Sequence, residues 1–466
     1  MNKLYTIINM TIGYRRFLFY TLVLVFIPLS AGIVLYSQGW RIYTEDCKIQ
    51  SLIRMGAFGL PERERSERGG ALFGCISFQK TGAIYIETEP RDVNIKIGNK
   101  TFPDKSGILQ KGTLVSDLLP KNYSVEITKD GYLPYYKNIR VKPAMVSELL
   151  DAILIPKEIN NKTPIMRNLR GNLIIAQSND NKKIIVRNSK NDVYYLYNLG
   201  DLSSVFNISA AFNNFRKETI TRIAFHPFES NRFIINTKNG FYVLDAGRSK
   251  LESVLNSAPT VWTVKNPNIY YIKNVKCQMS NVKCQTLYAY NLVVKSDTEL
   301  TQLPEEIGEV AALNVSENQN YAAIISDGAE LYLFNQLDKS FKKISQNAQG
   351  FAFSPDNKKI AVLNKDSGVD VYFLEDYSRG INKKAGETIR LTLKDNQLLK
   401  NILWYNDATH LLLQYRDNIR FVELDDRLPL NPFIILNDFS DFFYNLNNNQ
   451  IYFIQQNSLF SFQLGK

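Results

Sequence analysis

The chain has 466 residues, 45% hydrophobic and 22% charged; this excludes wholesale disorder and supplies enough chain for about three domains. Its two histidines, His226 and His410, are too few for most zinc sites or for histidine-based acid–base chemistry. The net charge of +11 is dispersed, since residues 158–466 hold 35 basic and 31 acidic groups, whereas a nucleic-acid binder concentrates its charge on one face or run.

The first element is apolar. Residues 1–16 carry Lys3, Arg15 and Arg16 and no acid, and residues 17–40 run for 24 positions without a charge. As a helix, 17–36 covers roughly 30 Å, the thickness of a hydrocarbon core. Tyr14, Tyr20, Tyr36 and Trp40 fall near its ends, where amphipathic rings prefer the headgroup region, and membrane helices tolerate a residue such as Pro28. Cleavage as a signal peptide at the small residues Ser30-Ala31-Gly32 is the alternative. The apolar run continues past them, which favours an uncleaved anchor. Beyond it Arg41 and Lys48 are offset by Glu45 and Asp46. The positive-inside rule therefore predicts a single-pass cell-membrane protein, with residues 1–16 cytoplasmic, 17–40 spanning and the bulk of the chain extracytoplasmic. Residues 41–80 read as a linker with an insertion at 47–75, which holds the solvated run Glu62-Arg63-Glu64-Arg65. Cys47 and Cys75 bound it, and their pairing stays open.

Residues 81–157 alternate with period two, the mark of half-buried strands. Ile84 and Ile86 share one face, and Val93, Ile95 and Ile97 follow in the next strand. Gly98-Asn99 and Asp130-Gly131 supply turns, so the stretch predicts a compact antiparallel β-sandwich. The residues Gly82, Ile84, Ile86, Thr88 and Pro90, then Val93, Ile95, Ile97 and Gly98, then Tyr123, Val125, Ile127, Gly131 and Tyr132 resemble the PEGA domain. Arg91-Asp92-Val93 replaces that family's Glu-Gly-Ala after the proline. The resemblance implies a small, non-enzymatic module of cell-surface proteins, with wall or surface-layer material as its ligand class. The order of anchor, PEGA-like module and large β domain is similar to membrane-anchored surface proteins of small-genome bacteria.

Residues 158–466 repeat a pattern of apolar strand, polar turn, apolar strand, Gly/Asp/Asn turn and apolar strand. The first turns fall near residues 171, 228, 266, 318, 356, 407 and 447. Such intervals of about 40 to 55 residues match one four-stranded propeller blade. Seven copies predict a β-propeller of seven blades, with six or eight as alternatives, and residues after Pro156 are candidates for the strand that pairs with the terminal SLFSFQL. The stretch from Phe353 to Ala361, FSPDNKKIA, resembles the F-S-P-D-G-x-x-I-A turn of TolB-like and WD40-like repeats, with Asn357 at the usual glycine. Cys277 and Cys284 flank QMSNVK in an apparent hairpin, and opposed strands there favour a disulfide. Their spacing and the lack of a nearby histidine do not spell a metal site.

Catalytic motifs are missing. No G-x-S-x-G, Walker-type loop, G-x-G-x-x-G or H-E-x-x-H occurs. Asp356 and Asp407 fall in turns, where such side chains cap their own backbone. The adjacent acids Asp425-Asp426 and Glu305-Glu306, read as strand residues, point to opposite faces. No catalytic, cofactor-binding or metal-binding residue is nominated, and no nucleic-acid partner. The densest basic excess, ten groups against five acids, lies in residues 158–222. Lys182, Lys183, Arg187 and Lys190 are its tightest cluster and the candidate contacts to an acidic envelope polymer. The sequence thus predicts a membrane-anchored, non-enzymatic scaffold that presents its β domain for binding proteins or envelope polymers. A hydrolase acting on surface glycans or peptides is the alternative.

Overall fold

The computed structural model of the chain describes residues 12–44, 76–107, 110–159, 162–199, 201–255, 258–259, 261–276, 283–393 and 398–464. It is mostly β, with 53% strand and 9% helix. Helix α1 (Ile12–Ser37) contains Pro28, and within it Gly13–Ser37 is long and apolar enough to cross a membrane. Its side chains are exposed along its length, as an aqueous surface would not favour but a hydrocarbon one would. The strand Trp40–Thr44 pairs antiparallel with Ile76–Lys80, Thr44 opposite Ile76. The chain therefore returns to its point of departure after residues 45–75. The insertion expected at 47–75, with Cys47, Cys75 and the Glu62–Arg65 run, lies outside the described residues.

The chain divides into two units, one of residues 1–127 and 136–152 and one of 128–135 and 153–466. The division thus falls at 152/153 rather than 157/158, and residues 128–135 go with the second unit. In the first unit Gly82–Glu89 lies between Thr113–Leu118 and Val146–Ile153, forming a three-stranded sheet. A four-stranded sheet begins with Lys100–Pro103, Asn94–Ile97 and Asn122–Thr128. The period-two pattern is realised as burial: Ile84, Ile86, Val93, Ile95, Ile97 and Val125 are buried, and Asn94–Ile97 alternates exposed and buried. Alternation puts every second side chain on one face.

The second unit contains seven four-stranded sheets among its described residues. Sheets I to VI are consecutive antiparallel meanders. They begin at Leu173–Gln177, Arg222–Phe225, Trp262–Lys265, Val310–Val315, Ala348–Phe353 and Asn401–Trp404. Sheet VII joins the last three strands, Asp441–Asn445, Gln450–Gln455 and Ser458–Gln463, to Thr163–Met166. That strand lies antiparallel to the terminal one, Thr163 opposite Ser461, and so supplies the partner for SLFSFQL.

Each sheet shares an apolar cluster with the next. Leu196 and Phe233 join I and II, Phe241 and Trp262 join II and III, and Leu287 and Phe334 join III and IV. Tyr372 and Leu333 join IV and V, Trp404 and Phe373 join V and VI, and Phe421 and Phe453 join VI and VII. A seventh cluster, with Ile454 and Val186, joins VII to I. Middle strands are consequently covered on both faces. Leu331–Asn335 and His410–Gln414 are buried almost throughout, and such strands read as continuous apolar runs. Fourth strands such as Lys250–Leu255 and Ser340–Ser345 hold no fully buried residue, being half-buried to exposed, and read as more polar.

The turn of sheet I is corrected. It lies at 178–182, after Leu173–Gln177, not near 171, because Gly171 precedes the first strand. Two features carry no repeat signal and were not foreseen. Helix α2 (Ile208–Asn213) has too few residues for a periodic stripe. Asn207 caps it by accepting from the Ala210 amide, and Ile208 and Phe212 bury one face. In sheet V a small hairpin, Tyr377–Arg379 with Ile381–Lys383, interrupts the connection between the third and fourth strands.

Candidate functional site

The first turns of the sheets form a chemically distinct surface. In sheet V the Ser354 hydroxyl donates to Asp356 Oδ1 at 2.5 Å, and that oxygen also accepts from the Lys358 amide at 3.1 Å. The Lys359 amide donates to Ser354 Oγ at 2.9 Å. Sheet I repeats these bonds with Ser178, Asp180, Lys182 and Lys183. Sheet IV does so with Ser316, Asn318, Asn320 and Tyr321. The shared turn puts one residue at positive φ: Asn181 at 58°, Gln319 at 60°, Asn357 at 58° and Ala408 at 58°. Asparagine tolerates this region better than most residues, which is why Asn357 can stand where the resembling repeats carry glycine. Asn357→Gly keeps the backbone conformation but removes the side-chain acceptor of the Asn318 amide, so it is expected to cost about 0.5–1 kcal/mol, whereas β-branched Asn357→Val, which loses the same bond, should cost about 1–2 kcal/mol more. Chemical unfolding of both variants checks the pair, and equal midpoints would refute the αL argument.

Amides stitch these turns together. Asn179 Nδ2 donates to the Pro227 carbonyl at 2.8 Å, Gln319 Nε2 to that of Asn266 at 2.8 Å, and the Asn318 amide to Asn357 Oδ1 at 3.2 Å. Asn449 Nδ2 donates to the Tyr405 hydroxyl at 2.9 Å, and Asn445 Nδ2 to Asn181 Oδ1 at 2.6 Å. Five of the seven junctions are joined this way, so the first turns lie side by side on one face. Sequence reasoning missed this belt. Its signal was an amide recurring in nearly every first turn.

The titratable groups of this face are committed to structure. Lys359, with a side chain 0% exposed, donates to Asp356 Oδ2 at 2.6 Å. Its ammonium also lies 4.2 Å from the centroid of the Tyr377 ring and 5.7 Å from that of Trp404. Burial lowers the lysine pKa, and the pair with Asp356 offsets part of that. For Asp356 burial raises the pKa, but hydrogen bonds from Lys359 and Ser354 outweigh it and hold the carboxyl below its usual range. His410 occupies the equivalent place in sheet VI. Its Nδ1 is 2.6 Å from Asp407 Oδ2, and its ring stacks on Phe421 at 4.5 Å. Asp407 Oδ1 meanwhile accepts from the Thr409 and His410 amides. His226 is also buried, and burial lowers its pKa. Both histidines pack in the interior.

The remaining predicted groups are scattered. Asp425 forms a forked pair with Arg427 and Asp426 faces Lys383 at 3.5 Å. Glu305-Glu306 lies in a short 3-10 helix, Glu305–Ile307, not in a strand. Lys182 and Lys183 stand at the first-turn end of Lys183–Asn188, whereas Arg187 and Lys190 stand at its other end. Lys183 and Arg187 are thus roughly 13 Å apart along the strand. Lys183 contacts Asn231, and Arg187 is paired with Asp192 at 2.5 Å. Cys284 is disulfide-bonded and lies opposite Val275; Cys277, the expected partner, lies outside the described residues. Among the described residues no group of His, Cys, Asp and Glu could hold a metal ion. One crevice of about 550 Å³ is lined by Lys343, Ser345, Asn364, Asp370 and Arg390. There Arg390 faces Asp370 at 3.8 Å and Asn364 donates to the same carboxylate, leaving no pair of facing carboxyls. The chain matches no protein-family model and no curated protein.

Proposed function

We propose that this is a membrane-anchored, non-enzymatic surface protein in which a PEGA-like module and a seven-bladed β-propeller present a binding face to proteins or envelope polymers. The N-terminus is cytoplasmic and the two β units extracytoplasmic. The observation that carries the reading is the cyclic order of the seven apolar clusters, with the first and last sheets sharing one as every other neighbouring pair does. Each four-stranded sheet has two apolar faces, and a ring is the arrangement in which both faces of all seven are covered. Such a ring leaves its turns as the surface for recognition, and the acids in the turns of sheets V and VI already serve as caps and ion pairs. Protease shaving of intact cells should remove the β units, and protection in cells but not in lysates would overturn the topology. Turnover in a hydrolase screen of the full chain would overturn the non-enzymatic reading.

Charge contributes to this binding at two separate places. Neutralising Lys182, Lys183, Arg187 and Lys190 together is expected to remove most salt-sensitive retention on an anionic wall polymer, because exposed charges are screened within ~10 Å at 0.1 M salt. The pair Lys182 and Lys183 should account for more of the loss than Arg187 and Lys190, since Asp192 already balances Arg187. Unchanged low-salt retention by the fourfold variant would eliminate these contacts.

A further inference from the structure

We infer that the first unit lies on the membrane that α1 crosses, with its loops at 118–121 and 142–146 set in the interfacial layer beside the helix exit; this rests on the reading of α1 as an uncleaved anchor. Helix and loops belong to one unit, and hydrogen bonds join them in two steps. Gly39, two residues beyond the end of α1, accepts at its carbonyl from the Thr81 amide and hydroxyl, both at 2.9 Å. The Thr81 carbonyl in turn accepts from the Ala144 amide at 2.8 Å. Backbones joined in this way stand about 5 Å apart, so the 142–146 turn lies within roughly 10 Å of the helix exit. Gly82 permits this approach, since a Cβ there would meet the Lys142 carbonyl at 2.3 Å. The second loop adjoins the first: the Val141 amide donates to the Lys121 carbonyl at 2.9 Å, and Leu118 lies opposite Gly82. Arg41 ties the helix to the same end, with its guanidinium 3.8 Å from the centroid of the Tyr36 ring and paired with Asp117 at 2.6 Å.

Position selects the occupant. The polar layer on each side of the hydrocarbon is about 5–8 Å deep, so loops this close to a helix leaving a bilayer meet headgroups. Tyr36 and Trp40 stand at the same level, where amphipathic rings prefer to sit. Composition agrees with position. Lys142-Pro143-Ala144-Met145-Val146 is exposed throughout. Outside α1, Met145 at 55% and Val146 at 52% are the most exposed large apolar residues among the described residues of this unit. The neighbouring loop repeats the composition as Leu118-Leu119-Pro120-Lys121. Each loop joins apolar residues to one lysine and holds no acid, the combination favoured where hydrocarbon gives way to headgroups. Of the flanking acids, Asp117 is paired with Arg41, and Glu148 stands two positions farther along Val146–Ile153.

The test uses the full chain in phosphatidylcholine–phosphatidylglycerol vesicles, with Met145→Trp and Pro120→Trp read as difference fluorescence against the parent. Glu89→Trp, at the last residue of the strand that Gly82 opens, is the reference at the far end of the sheet. Brominated acyl chains should quench both loop tryptophans and not the reference, and iodide should quench the loops several-fold less than the reference. Tryptophan itself favours interfaces, so Met145→Asp with Val146→Asp in the Pro120→Trp chain should raise iodide access at 120 several-fold. Unchanged access in that chain would overturn the inference, as would equal iodide quenching at loops and reference. Protection of the loops from both quenchers would overturn it too, because it denotes cover by protein. Alkaline carbonate extraction and the intact mass read the anchor separately. A shortened or released chain sinks the anchor, whereas a full-length, retained chain with iodide-open loops sinks the inference alone.

Discussion

Asp356→Asn is expected to cost about 3–5 kcal/mol of stability, because it leaves the Lys359 ammonium buried without its counter-charge. The asparagine keeps an oxygen to accept from Ser354 and the Lys358 amide, so the turn is spared and the loss reports the ion pair. The pair is asymmetric, since the Lys359 side chain is 0% exposed and that of Asp356 30%. Lys359→Met should therefore cost less, as the aspartate it strands reaches water and keeps its turn bonds. The double variant Asp356→Asn with Lys359→Met should lie within about 1–2 kcal/mol of the parent, because a well-packed apolar substitute often matches a buried pair. Urea unfolding of the full chain in detergent, followed through Trp404 beneath the ammonium, measures all three. A single variant with the parent's midpoint would refute the argument. The pH dependence has a definite sign. The Asp356 carboxyl is held below its usual range, so its contribution is complete above a pH of about 4 and is lost as pH falls through the folded value. Asp356→Asn should lack this acid-limb loss.

Asp441→Asn is expected to act in the opposite direction and stabilise the protein at neutral pH by on the order of 2–3 kcal/mol. Asp441 opens the first strand of sheet VII, and its Oδ2 accepts from the Ile174 amide of sheet I at 2.6 Å. Burial pushes its carboxyl up to about 6, against the lowering effect of the Ile174 and Phe442 amides. A folded-state value above the unfolded one means that the folded chain holds the extra proton between about pH 4 and 6. This group's contribution to stability therefore falls as pH rises through that window and is flat above about 7. Asparagine keeps an acceptor for Ile174 without the charge. Melting curves at pH 5 and pH 7.5 should show the variant's advantage roughly twice as large at the higher value, and an equal gain at both would remove the titration from the account.

Much of the architecture was legible in short stretches. The terminal strand SLFSFQL needed a partner, and the residues after Pro156 were the candidates for it; Thr163–Met166 takes that place. Six first turns were placed from clusters of Asn, Asp, Pro and Ser. The seventh was missed because Gly171 imitates a turn at the start of a strand. The basic residues are spread in space because a strand carries neighbouring sequence positions steadily apart, setting Lys182 and Lys190 at opposite ends of Lys183–Asn188. The fate of Asp356 was half readable: its turn role follows from its neighbours, but its bond to Lys359 does not.

The sequence by itself determined whatever depends on a few adjacent residues. An uncharged run of 24 positions is long enough to cross a bilayer whatever follows it, and period-two alternation between turn residues makes strands because side chains must face opposite sides of a pleated backbone. Tertiary structure alone decided what depends on residues far apart in the chain. It closed sheet VII with a strand from the start of the unit and buried Lys359 against rings from two sheets. It also set the amide turns side by side. These outcomes are set by which sheet covers which, a pairing of surfaces that no local stretch of chain encodes.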